Sequence, residues 1–143
     1  MSLVTDAAAI RTRFLAQWTG SITFAGNPKS IQTIYQNGQQ MAVDESLPYV
    51  TFSIIPGDNE RLSLGANALH SQLGRVWLQI FVPVGEGASL AMAVADTFKA
   101  IFENWTTTDG AIRFSAATTV PVTGDAVWHQ VNVSVPYESI HRQ

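Results

Sequence analysis

Apolar residues recur along the chain with two different periods, and these divide it into helix, strands, helix and strands. Near the N-terminus Leu3, Ala7, Ile10, Phe14 and Trp18 are spaced by three and four, which stacks them on one face of a helix. Arg11 and Arg13 fall away from that stripe. Thr5 or Asp6 can act as N-cap, because either side-chain oxygen can accept an orphan backbone N–H, and Gly20 marks the C-terminal end. A second stripe, Leu90, Val94, Phe98, Ile101 and Phe102, predicts a helix from Ala88 to about Asn104. Asp96, Lys99 and Glu103 occupy its other side, and Trp105 stands just beyond it.

Between and after the helices the period is two. Pro48 to Ile55 reads as a strand, with Val50, Phe52 and Ile54 facing one way and Thr51 and Ser53 the other, and Pro56-Gly57 is expected to stop it. Gly74 opens the strand Arg75–Val82, whose faces are Val76, Leu78, Ile80, Val82 and Trp77, Gln79, Phe81. Two partly apolar faces indicate a central strand, or one face covered by a partner. The cleanest alternation is in the last strand, Ala126 to Tyr137, where Val127, His129, Val131, Val133 and Val135 alternate with Trp128, Gln130, Asn132 and Ser134. Short strands are expected at Ile31–Tyr35, Ile112–Phe114 and Thr118–Val122. Asn27-Pro28, Asn37-Gly38, Gly124-Asp125 and the polar run ending at Pro48 read as turns or loops. Residues 58–73, with isolated leucines at 62, 64 and 69, read as an extended arm or a loose hairpin. The C-terminal His-Arg-Gln reads as a frayed tail.

Two amphipathic helices of this kind must cover a sheet. The expected fold is α+β, with two layers: a mixed, mostly antiparallel sheet of four to six strands packed by two helices, forming one domain over residues 1–143. The length of 143 residues fits one domain and buries enough surface to fold without a metal or disulfide staple.

Composition narrows the function. Only 13% of residues are charged, about half the usual ~25%, while 46% are apolar, which excludes disorder and leaves a neutral surface suited to protein contacts. The net charge of -3 and the scattered Lys and Arg argue against nucleic acid as the main partner. No apolar run is long enough to span a membrane, and Asp6, Arg11 and Arg13 interrupt what a signal peptide would need. With no cysteine, thiolate catalysis, disulfides and Cys-based zinc sites are excluded.

No catalytic constellation emerges. His70, His129 and His141 lack a second His, Asp or Glu at metal-ligand spacing, so no metal or cofactor is expected. His129 lies on the valine face of the last strand and reads as a half-buried structural histidine, and His70 reads as a surface residue of the arm. Asp44-Glu45 are adjacent on an extended segment and point to opposite faces, so they cannot flank one scissile bond. Gly85-Glu86-Gly87 precedes a helix but lacks both the GxGxxG order and a GKS or GKT ending, and reads as a strand-to-helix turn. Trp77 and Trp128 share strands with apolar residues on the opposite face, so at least one is expected to be exposed as an interface anchor.

The order of these pieces resembles the small tail terminator proteins of tailed phages and prophages. The resemblance rests on the DAAAIRTRFLAQW helix, PYVTFSIIPG, the arm carrying Leu62-Ser63-Leu64-Gly65, GRVWLQIFVPVGEG (Gly74 to Gly87), SLAMAVADTFKAIF and the closing GDAVWHQVNVSVPY. It implies a structural, non-enzymatic protein. Its subunits would form a ring, usually a hexamer, at the head-proximal end of the tail tube, stop tube polymerisation and present the head-joining surface. The partners implied are further copies of the chain, the tail tube protein and a head or neck completion protein, met in the host bacterial cytoplasm during assembly and retained in the virion tail. Arg61, Leu62, Leu64, Leu69 and His70 of the arm, with Trp77 and Trp128, are the candidate interface residues. The alternatives are another neck or head–tail connector component, and a small-ligand-binding α+β domain whose mark would be a buried polar cluster.

Overall fold

The computed structural model describes residues 3–24, 26–35, 47–66, 68–86, 88–122 and 128–142. The expected turns at Asn37-Gly38 and Gly124-Asp125, the Asp44-Glu45 loop, the first two residues of the last strand and the side chain of Leu3 lie outside them. The described elements are helix α1 (Leu3–Gln17), strands β1 (Ser21–Phe24), β2 (Asn27–Ser30), β3 (Gln32–Tyr35), β4 (Tyr49–Arg61) and β5 (Leu69–Pro83), a short 3-10 turn (Val84–Glu86), helix α2 (Ala88–Phe102), and strands β6 (Ile112–Phe114), β7 (Thr118–Val122) and β8 (Trp128–Arg142).

The main sheet runs β3-β4-β5-β8-β6, with β7 also on β8, and a separate hairpin joins β1 to β2. Only the β3–β4 pair is parallel, so the sheet is mixed and mostly antiparallel, and the protein is α+β as its periodicities predict. β5 is central: β4 pairs along one side of it and β8 along the other, in one register from Leu69↔Arg142 to Pro83↔Trp128.

Directly opposed residues of an antiparallel pair share a face. Val50 and Phe52 of β4, Val76, Leu78, Ile80 and Val82 of β5, and Val131, Val133 and Val135 of β8 therefore form one apolar face, and all are buried. Onto it pack Ile10, Phe14 and Trp18 of α1 and Leu90, Ala91, Val94, Ala95, Phe98, Ile101 and Phe102 of α2. Phe14 stacks on Phe52 with ring centroids 4.0 Å apart, and Phe98 and Phe102 close around them. Arg13, off the stripe, is not simply solvated. Its Nε and Nη2 both donate to the Ile101 carbonyl oxygen, an orphan acceptor at the end of α2, and its guanidinium lies 4.6 Å from the Trp105 ring centre.

Several expectations need correction. β4 does not stop at Pro56-Gly57. It continues to Arg61 through a bulge between Pro56 and Asn59, which absorbs the proline at a free edge, and β5 begins at Leu69 rather than Gly74. The arm is thus the outer end of one long β4–β5 hairpin. Asn27-Pro28 is no turn but the start of β2, paired with Phe24 and Thr23. Asp6 and Thr5 lie inside α1, so neither is its N-cap. The C-terminal His-Arg is not a frayed tail: β8 holds its pairing to Arg142, and His141 is buried.

Candidate functional site

Three surfaces stand apart from the core. The first is the end of the β4–β5 hairpin. Every residue from Ile55 to Leu62 is exposed. The described residues of the tip are nevertheless tied together by hydrogen bonds. Leu62 N donates to Leu69 O at 2.7 Å, Leu69 N donates to Ser63 Oγ at 2.7 Å, and Arg61 donates from Nε to Ser63 O and from Nη2 to Gly65 O, each at 2.8 Å. Gly65, at φ +92°, takes the left-handed bend this loop requires. The charge-assisted Arg61 bonds clamp a turn that presents Leu64 at 92% exposure and Leu62 at 49%.

Behind the tip, on the helix-facing side, a polar ladder replaces the valines. Gln72 fills the bulge: its Nε2 donates to the carbonyls of Gly57 and Leu73, and its Oε1 accepts from Asn59 Nδ2. Asn59 Oδ1 lies 3.0 Å from His70 Nδ1, and the His70 ring stacks on His141 with centroids 6.2 Å apart. Ser139 Oγ and His141 Nδ1 are buried here without a hydrogen-bond partner. One step further in, the Tyr137 ring lies across Gly74, where a Cβ would come within 2.6 Å of it. Burial, and secondarily the charge of Asp6, push the Tyr137 hydroxyl up to about 12. Asp6 itself is buried in the first turn of α1 with neither oxygen hydrogen-bonded.

The second surface is the sheet face turned away from the helices. Tyr49 stacks on Phe81 at 4.5 Å, and Trp128 meets Tyr49 edge-on at 4.9 Å. Beside them Thr51 bonds Gln79, and Gln130 bonds Asn132. Trp77 sits between Ser53 and Ser134. The rows of this face from Ser53–Trp77–Ser134 to Pro83–Trp128 carry no charged residue.

The third is an open pocket of about 400 Å³ between α1 and the segment before β6, lined by Thr5, Ala9, Thr107, Thr108, Asp109, Ala111 and Ile112. Its outer wall is a tight turn. Gly110 N donates to Thr107 O, and Asp109 Oδ1 accepts from Thr107 Oγ1 at 2.7 Å and from Ala111 N at 3.0 Å. The Ala111 N–H bond, then the Thr107 hydroxyl, hold the exposed Asp109 carboxyl below its ordinary range. Asp109 is the one titratable residue of the lining, and the buried polar atoms without a hydrogen-bond partner, on Asp6, His129, Ser139 and His141, do not line it. The Thr107 hydroxyl and the Asp109 carboxylate are a hydrogen-bonded side-chain pair in it, and no His, Lys or second carboxylate is among its lining residues. Among the described residues no three His, Cys, Asp or Glu could hold a metal ion, and no helix is long and apolar enough to cross a membrane.

The seven candidate interface residues fall in two places. Arg61, Leu62, Leu64, Leu69 and His70 gather at the hairpin end. Trp77 and Trp128 lie on the helix-free face, six residues apart in register, or about 20 Å along the strands, and both are half-buried by their strand neighbours, so neither is the exposed anchor expected. His129 is half-buried, as its place on the valine face predicts. The pocket and the buried polar ladder escaped the sequence reading. The ladder had a signal, since the alternation of Val131, Val133 and Val135 continues without a break through Tyr137, Ser139 and His141.

Among the described residues, then, one sheet face is covered by the helices, part of the other carries no charge, and the hairpin ends in exposed leucines. Comparison with known proteins gives the family. A sequence profile described as phage tail terminator protein matches residues 7–137, and the chain belongs to that family, a class of phage tail structural proteins. A solved structure that is 22% identical superposes with a TM-score of 0.66, covering 97% of this chain and 96% of the other, which supports the fold alone. No curated protein sequence matches.

Proposed function

We propose that the chain acts as a ring of identical subunits, a hexamer on the tail, which caps the head-proximal end of the tail tube. The ring stops tube polymerisation and forms the surface that the head or neck completion protein joins. Its partners are further copies of itself, the tail tube protein and that completion protein. Assembly takes place in the cytoplasm of the host bacterium, and the protein performs no catalysis and carries no cofactor. Membership of the tail terminator family supports this reading. The observation that carries it is the hairpin end: an apolar tip 92% exposed at Leu64 and yet clamped by Arg61 is organised for a partner rather than for its own core. The neutral helix-free face, with Trp77 and Trp128, offers a second contact area.

The test is to polymerise the cognate tail tube protein with and without the purified chain and image the products by electron microscopy. Shorter tubes with a ring at one end are expected. Tubes of unchanged length with bare ends overturn the reading.

A further inference from the structure

A ring of identical subunits needs two different surfaces on each copy, one fitting the other, so that contacts run head to tail until the rotation closes. Two features of this chain match in that way. The hairpin tip projects apolar side chains that its own fold leaves in solvent, Leu64 most of all. The pocket between α1 and the Thr107–Ile112 turn is an open cleft walled by Ala9, Ala111, Ile112 and threonine methyl groups, with about 400 Å³ to fill. That space exceeds the volume of a leucine side chain.

The charges agree with the shapes. The turn itself carries one charge, the Arg61 guanidinium, with Asp58 and Glu60 further back on β4, and the pocket wall carries the exposed Asp109 carboxylate, which accepts from Ala111 N and Thr107 Oγ1. Both partners are already ordered, the tip by four hydrogen bonds and the turn by its Asp109 and Gly110 contacts, so docking costs little further conformational entropy.

We infer that the Leu62–Leu64 tip of one copy inserts into the pocket between helix α1 and the Thr107–Ile112 turn of the next, and that the occupant of the pocket is therefore a second copy of this chain. The inference rests on the ring proposed above and assigns its subunit contact to these two places.

The absence of cysteine permits a direct test. Leu64→Cys is made in one batch of the full chain and Thr108→Cys in another. The two are mixed under mild oxidation, and disulfide-linked dimer is measured beside each variant alone. Leu64→Cys with Ala9→Cys serves as a second pair. Cysteines whose Cα atoms are held within about 6 Å across a docked contact experience an effective concentration near the millimolar range, so the mixture should yield about tenfold more linked dimer than either variant alone.

Linking of Leu64→Cys to itself as readily as in the mixture overturns the inference in favour of a tip-to-tip contact. A mixture no richer in dimer than the single variants, for both pairs, overturns it as well. The molar mass of the same sample then separates the two failures. A ring leaves the proposed function standing with a different contact, and a monomer removes the self-association itself.

Discussion

Individual side chains in this protein are placed for reasons that predict their response to change. Gly74 is required by proximity rather than by backbone angle, because the buried Tyr137 ring occupies the space a Cβ would take. Gly74→Ala should cost about 1–3 kcal/mol, the usual penalty of overpacking, and lower the urea midpoint; an unchanged midpoint would show that Tyr137 can move aside. Tyr137 also gives the fold an alkaline limit. Its hydroxyl is raised from 10.0 to about 12, so the folded state holds the proton more tightly than the unfolded one. The stabilisation is complete below pH 10 and is lost as pH rises toward 12. Tyr137→Phe should therefore flatten the fall in unfolding free energy across that window, and the phenol absorbance that titrates last should disappear with it. Arg13 shows a charged residue turned inward by a helix end. Arg13→Lys keeps the charge but loses the fork that donates twice to Ile101 O, and should lower stability by about 1–2 kcal/mol in thermal or urea unfolding.

At the scale of elements, much was legible in the sequence because the periods are strong. The two helices and the long alternating strands follow from spacing, the short β3, β6 and β7 were marked by the turn residues around them, and the two apolar faces of β5 fitted either a central strand or one covered by a partner, of which the pairing shows the first. What was not legible has physical causes. Pro56-Gly57 reads as a stop, yet β4 passes through it, because a bulge at an unpaired edge tolerates proline and Gln72 satisfies the freed Gly57 carbonyl from across the hairpin. His-Arg at the C-terminus looks like a tail because polarity rises there, but β5 supplies the pairing that no local signal shows. The β1–β2 hairpin, tied to the core by Ile22 and Phe24, carries too few apolar positions to announce itself. Of the candidate contact residues, the arm leucines were legible as apolar side chains without a core. The pocket was not, since it joins α1 to a turn about a hundred residues later. If the exposed leucine of the tip serves assembly and not folding, Leu64→Ser should change unfolding free energy by less than about 0.5 kcal/mol while weakening self-association. A larger loss of stability would place Leu64 in the folding of the hairpin instead.

For the whole molecule, the layers assign the roles. One sheet face and two helices build a continuous apolar core, and the opposite face, the hairpin end and the pocket lie outside it. In the ring proposed above, low charge would lower the cost of covering those surfaces, since charges removed from water without partners are costly. Closure of this tail terminator chain on itself is read from the molar mass in solution by light scattering, taken across a wide range of concentration. A discrete species, a hexameric ring, is expected to persist on dilution and to give way to monomer when Leu64 is replaced by Asp. A mass that stays at one chain throughout, or that grows without limit as concentration rises, would contradict closure.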